Sequence, residues 1–357
     1  MTMKEKFVLF LSLLMVLSSW GTAQQKQTFD LSGAKKQAIQ YNRMLKNSSY
    51  AVDKAQYQLK EAIAAGLPQI SSTLNYSNAL GAKLSIRFDP NAPATEIPIK
   101  PTSQFNLQVG QLLFSGSYFV GLELAKLGKT LTEKNYEKTE QDVLAQVTGS
   151  YYLVLVSGEL LNLMNKNVTN LEEVYRKTEA MVKVGMLEKT DLDQLGVQIA
   201  ALQNAVSNAG RQLELAKNMF RLQLGLEVGQ DFELTNTLEQ VMGMVKGTLN
   251  TQPLFDLTMN KDYQLVELQE QMSVKQVKMQ NSAYLPTLTG YYSRTEKIIK
   301  PNFDMSPKNM LGANLSIPIF SGGQRKAKVD QAKIDLETIR NTKAFMAEQL
   351  QIQEKQL

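Results

Sequence analysis

Carboxylate pairs are the main catalytic candidates in this 357-residue chain, because it contains neither histidine nor cysteine. Their absence removes disulfide scaffolds, thiolate chemistry, the commonest metal ligand and the commonest general base together. No carboxylate pair stands out from the pattern of charges that covers helix surfaces. The most suggestive cluster is Thr190, Asp191 and Asp193, just after Gly185. It reads as a helix start, with Thr190 accepting backbone N–H groups as N-cap, the two aspartates favoured by the helix dipole, and Gly185 closing the preceding helix. The chain is therefore not expected to be an enzyme, and no cofactor or metal is expected.

The elements that carry these side chains are repeated along the chain. Residues 50 to 76 (YAVDKAQYQLKEAIAAGLPQISSTLNY) recur in pattern at about 268 to 292 (LQEQMSVKQVKMQNSAYLPTLTGYY). In each copy a helix runs into a Leu-Pro pair, Leu67-Pro68 and Leu285-Pro286, then into a short alternating segment. Further on come Leu112-Leu113-Phe114-Ser115-Gly116 and Ile317-Pro318-Ile319-Phe320-Ser321-Gly322-Gly323. The order is helix, Leu-Pro, strand, loop, strand, Phe-Ser-Gly, helix, twice over. Strands are expected at about 69–80 and 104–114 in the first copy and at about 286–295 and 309–320 in the second. The first intervening stretch, 84 to 103, reads as a loop because it holds Pro90, Pro93, Pro98 and Pro101.

Each strand alternates. Ile70, Leu74 and Tyr76 share a parity, as do Phe105, Leu107 and Val109, Leu288 and Tyr292, and the series Leu311, Ala313, Leu315, Ile317, Ile319. Segments of about ten alternating residues suit tilted strands that cross a bilayer. They also suit an ordinary soluble sheet of two hairpins. Tyr76, Phe105, Phe114, Tyr291, Tyr292 and Phe320 could form aromatic girdles at the membrane interfaces, or be ordinary strand residues. Four strands do not close a membrane barrel, so a barrel would need oligomerisation.

Between the copies lie long helices. No proline interrupts Ser117 to Lys183, and Val147, Val154, Leu161, Val168, Tyr175 and Val182 fall seven apart. A straight helix of that length would measure about 100 Å. A second helix places Leu192, Leu195, Ile199, Leu202, Val206, Ala209, Leu213, Ala216 and Phe220 at coiled-coil spacing. A short connection makes the two antiparallel, a hairpin over 117–226. A coiled-coil spacer would show the same periodicity.

At the N-terminus, Lys4 and Lys6, the apolar run Phe7 to Leu17 and Gly21-Thr22-Ala23 read as a cleavable signal peptide over 1–23. Its apolar run is shorter than the ~20 residues a membrane helix needs. With no cysteine following it, a lipid-anchored lipoprotein is excluded. The net charge of +5 is spread evenly, which argues against nucleic acid as a partner.

In this order, and over essentially the whole mature chain, these features resemble the outer membrane efflux proteins, the TolC-like channels. The carriers are the two Leu-Pro pairs, the strand pairs, Leu113-Phe114-Ser115-Gly116, the long helix, the Val184-Gly185 turn with Thr190-Asp191-Leu192, and Pro318-Ile319-Phe320-Ser321-Gly322-Gly323. The resemblance implies a mixed α and β membrane protein. Long antiparallel coiled-coil hairpins would stand in the periplasm, and each protomer of a homotrimer would give four transmembrane strands to a shared 12-stranded barrel in outer-membrane lipid. It implies domains of 24–227 (first repeat), 228–262 (an equatorial connector with breaks at Gly229, Gly243, Gly247 and Pro253) and 263–357 (second repeat). It further implies a periplasmic adaptor and an inner-membrane pump of the RND, ABC or MFS type. Cargo could be drugs, dyes, amphiphiles, metal ions or polypeptides. By the same resemblance, residues 185 to 193, including Gly185, Thr190, Asp191 and Asp193, would form the tip where the tunnel is held closed. The second repeat has 34 residues after Gly323 against about 110 after the first Phe-Ser-Gly, so it is expected to be incomplete by roughly 75 residues. A periplasmic adaptor or coiled-coil scaffold without channel activity is the competing reading.

Overall fold

A computed structural model describes residues 27–87, 94–248, 255–299 and 305–356. The expected signal peptide, Pro90, Pro93 and Pro253 lie outside these. In chain order the elements are β1 (Gln27–Phe29), α1 (Leu31–Tyr41), α2 (Arg43–Ala64), β2 (Gln69–Ser77), β3 (Lys83–Ile86), β4 (Thr95–Pro98), β5 (Thr102–Ser115), α3 (Gly116–Lys183), α4 (Lys189–Leu224), β6 (Phe232–Leu234), α5 (Leu238–Thr248), a 3₁₀ turn (Leu257–Met259), α6 (Lys261–Ser282), β7 (Thr287–Ile299), β8 (Asn309–Ser316) and α7 (Gln324–Gln356).

The chain forms two compact units that cut across the sequence repeats. Among the described residues, one combines 27–47 with 139–248; the other combines those of 48–138 with those of 255–356. This departs from a division at 227 and 262, and the reason is pairing: strands from both repeats hydrogen-bond into one sheet, so neither repeat is a compact body alone.

The first unit is built on the heptad stripes. Val143, Val147, Tyr151 and Val154 of α3 meet Ala216, Phe220 and Leu224 of α4, with Ala34 and Ala38 of α1, and Phe29, Phe232 and Val241 closing the cluster. Phe220 is fully buried, its ring 5.8 Å from Tyr151, 5.2 Å from Phe232 and 6.4 Å from Phe29. Two three-residue strands, β1 and β6, pair in parallel beside it. Tyr151 donates its hydroxyl to Asn236 Oδ1 at 2.8 Å, and burial pushes its pKa up. Arg221, 5% exposed, donates to the carbonyl of Gln230, to Glu214 and to Asn218, with its guanidinium over the Phe232 ring. Asn42 joins α1 to α2: its side-chain oxygen accepts from the N–H of Met44 and Leu45, and its amide donates to the orphan carbonyl of Gln223 near the end of α4. Gly225 then ends α4 with φ +70, where an added Cβ would lie 2.3 Å from the carbonyl oxygen of Tyr41.

Gly243 and Gly247 do not break the chain as expected; both lie inside α5. A helix interior tolerates glycine at about 1 kcal/mol relative to alanine.

In the second unit, α6 and α7 pack side by side. Lys343 bridges Glu267 and Glu270, and Arg340 reaches Glu270 and Glu337. The Lys343 ammonium holds the Glu270 carboxyl below its usual 4.5. A depressed carboxylate pKa contributes stability that is present above 4.5 and lost as pH falls through the folded value. Acidification below that point should therefore loosen the α6–α7 pair only slightly, since these ion pairs are partly exposed to solvent. Glu270→Gln should flatten this acid limb in a pH series of denaturation midpoints; an unchanged limb would refute it.

Candidate functional site

Four strands form one antiparallel sheet in the order β2-β5-β7-β8. The register pairs Ile70 with Val109 and Leu74 with Phe105, Val109 with Tyr292, Phe114 with Leu288, then Leu288 with Leu315 and Tyr292 with Leu311. Directly paired residues share a face, so the apolar parities read along single strands join into one continuous apolar face. The other face carries Gln69, Ser71, Thr73 and Asn75, then Gln104, Asn106 and Gln108, then Thr289, Ser293 and Thr295, and Asn314 and Ser316. Both faces are open: Ile70 is 71% and Leu311 83% exposed on the apolar one, and Ser71, Gln108 and Asn314 are exposed on the polar one. From Phe105 to Phe114 the β5 chain rises about 30 Å, which a tilt of about 40° reduces to the ~25 Å of a barrel's apolar band. An open depression of about 620 Å³ lies on the polar side, lined by Gln69, Gln108, Gly110 and Asn314 among others.

Tyr76, Phe105, Phe114 and Tyr292 lie on the apolar face. Tyr291 does not, because adjacent strand residues point to opposite faces. Its ring covers Gly312, where an added Cβ would sit 2.6 Å from it, so Tyr291 is not on the face a membrane girdle needs. Arg294 and Glu296, joined by an ion pair at 2.8 Å, fall on the apolar parity beyond Tyr292, level with Leu107 and Phe105.

Several strand ends differ from expectation: β7 runs on to Ile299, past 295, and β5 starts at Thr102, while two strands stop short. β2 stops at Ser77, not 80, where Asn78 accepts the N–H of Leu80 and Leu80 takes φ +51. β8 stops at Ser316, because Pro318 has no N–H to give to a ladder; Ile319 and Phe320 are almost fully exposed. The proline-rich loop holds a further hairpin, β3 with β4, and places Pro98 at its end.

The repeat landmarks are junctions. Leu67 N–H bonds the carbonyl of Ala64 and Leu285 N–H that of Ser282, both at 3.0 Å, so each helix unwinds through the same turn before Pro68 or Pro286 opens a strand. A sheet bulge lies between Leu112 and Phe114. Leu113 packs over Gly290 there, and a Cβ on Gly116 would meet Leu285 at 2.5 Å, bringing landmarks of the two repeats together. Gly322 and Gly323 take positive φ in the turn ahead of α7, and Arg325 of that helix donates to the carbonyl of Pro318.

At the other candidate, the hairpin turn, Gly185 has φ +78. Met186 N–H reaches the carbonyl of Met181 and Gly185 N–H that of Val182, a Schellman closure of α3. Thr190 is not the N-cap. That position is Glu188, without a side-chain cap bond, and Thr190 lies one residue inside α4 with its hydroxyl 3.4 Å from the Glu188 carboxylate. A longer side chain two residues earlier, Glu188, takes the extended backbone of the cap position. Asp191 sits in the first turn, where the dipole favours it, and Asp193 is exposed. Leu192, Leu195, Ile199 and Leu202 form the less exposed stripe facing the α3 heptads, with Gly196 3.7 Å from the Tyr175 ring.

Among the described residues no helix is long and apolar enough to cross a membrane, and no group of three or more carboxylates is placed to hold a metal. The sequence reading missed Arg221, Tyr151 and the β1–β6 pair. Arg221 is a charge on a helix, and Tyr151, though it falls between Val147 and Val154 on the heptad stripe, stands beside a second tyrosine; only the fold shows that both are buried.

Residues 35–226 match the family model described as outer membrane efflux protein. The chain is 24% identical to the outer membrane protein TolC of Salmonella enteritidis over 90% of its own length and 65% of that protein's. It is 22% identical to the outer membrane efflux protein BepC of Brucella suis biovar 1, covering 88% of this chain and 66% of that one. It thus spans just under two thirds of these relatives. In fold it is similar to the Campylobacter jejuni CmeC outer membrane channel, with a TM-score of 0.70 at 15% identity, over 88% of this chain and 67% of that chain.

Proposed function

The chain belongs to the outer membrane efflux protein family, and from that premise we propose that it serves as an outer-membrane exit duct, conducting passively what an inner-membrane pump delivers through a periplasmic adaptor. The observation that carries this is the two-faced sheet. Its apolar side runs across all four strands up to Arg294 and Glu296, interrupted only by isolated polar residues such as Ser72 and Gln111, its polar side is wettable, and its outer strands β2 and β8 leave their edges unpaired by any other described strand. Lipid on one side and water on the other satisfy both faces, and edge pairing of β2 with β8 of a neighbouring copy would close a ring. Three copies giving twelve strands is the arrangement that the family resemblance favours, with Tyr76, Phe105, Phe114 and Tyr292 at the lipid interfaces. The pump could serve multidrug export or type I secretion.

The test is extraction: the protein should leave outer-membrane fractions only with detergent, run as a trimer, and give steady conductance in planar bilayers. Release by high salt as a monomer without conductance would favour the scaffold reading instead.

Gating is assigned to the hairpin turn. Asp191 carries a charge that capping alone does not consume, and Asp191→Ala should raise open probability or single-channel conductance. Unchanged conductance would leave Asp191 with its helix-start role only.

A further inference from the structure

We infer that the strand-lined part of the duct carries almost no fixed charge and therefore does not sort cargo by charge, so that anionic, cationic and neutral solutes pass it alike; this rests on the channel reading above. The strand register places uncharged residues along the polar face of the sheet. Going across the polar face, paired positions are Asn75 with Gln104, Thr73 with Asn106, Ser71 with Gln108, and Gln69 with Gly110. They continue as Asn106 with Thr295, Gln108 with Ser293, Gly110 with Tyr291, then Thr289 with Asn314 and Thr287 with Ser316. These are amides, hydroxyls and glycines, with Leu112 and Met310 as the apolar exceptions. Among the described strand residues of this face the one cation is Lys297, beside Gln104 at the loop end, where its ammonium lies 3.3 Å from the Ser306 hydroxyl.

The charges of these strands are instead on the opposite face, at Arg294 and Glu296. An amide donates and accepts without carrying charge, so such a wall hydrates a passing ion of either sign while adding no Coulomb preference. Charged side chains lining a pore are what impose such a preference.

Gln108 gives the test. It is exposed, lies on β5 between Asn106 and Gly110, and pairs with Ser71 and Ser293. Because the chain has no cysteine, Gln108→Cys provides a single thiol, to be modified with cationic or anionic methanethiosulfonates during single-channel recording under a salt gradient. Val109→Cys, one residue away on the lipid-side face, is the control. Expected is a severalfold shift of the permeability ratio toward anions with the cationic adduct and toward cations with the anionic one, both measured from the unmodified channel, and no shift at Val109→Cys. A ratio that ignores both adducts at Gln108→Cys, or moves the same way with each, overturns the inference while leaving the channel reading intact. Absence of any conductance from the unsubstituted protein overturns both.

Discussion

Val109→Arg should be lost from the outer-membrane fraction, while Gln108→Arg, its immediate neighbour, should be recovered there at close to the unsubstituted level. Val109 lies midway between Phe105 and Phe114 on the apolar face, flanked by Ile70 and Tyr292. If that face meets lipid, the position is near the bilayer midplane, where a guanidinium costs about 2–4 kcal/mol, and every protomer of an oligomer would bear it. Gln108 points the other way, into water, so the same guanidinium there needs no desolvation. Quantifying both variants in detergent extracts of outer membrane decides the matter. Equal recovery would mean that the two faces do not meet different solvents, and the sheet would then have to be covered by protein.

Phe220→Ala should lower the stability of the first unit by about 3–5 kcal/mol, the range for removing a buried aromatic ring. The ring is fully buried and touches three other aromatic residues contributed by α3, β1 and β6. Those short strands have three residues each and little else to hold them, so the cavity cannot collapse without moving them. Denaturant midpoints followed by circular dichroism, with protease sensitivity near Gly229 as the local readout, should both move. A loss below about 1 kcal/mol would show that the site repacks, contrary to its tight ring geometry. Phe220→Leu, which retains most of the volume, should recover a large part of the loss.

How much of this was legible in the residues depended on period and length. The helical hairpin announced itself because Val147 to Val182 and Leu192 to Phe220 hold their spacing over many turns, and chance does not sustain such a pattern. The four long strands were legible because alternation at period two survives without any knowledge of pairing. Pairing then added what alternation could not: that four separately read parities lie on one face, and that Tyr291 departs from Tyr292. Short elements left no trace. Three residues at Gln27–Phe29 and three at Phe232–Leu234 are too few to show a period, and their parallel partnership links positions some two hundred residues apart. The hairpin of β3 and β4 was hidden by prolines, which are acceptable at an edge but argue against strand in a linear reading. At the turn, threonine's capping preference pointed to Thr190, whereas Glu188 holds the extended backbone of the cap position.

The Arg294–Glu296 ion pair has a consequence for posture. Charge begins on β7 level with Leu107, yet on β5 the apolar parity persists to Phe105 and on β2 to Tyr76, further along the same rows. A waterline drawn through these residues crosses the strands on a slant instead of at right angles. If the apolar face meets lipid, the sheet can keep Arg294 wet and Tyr76 at the lipid boundary only by leaning within the bilayer, and inclination of that kind is what strands must adopt before any ring of them can close.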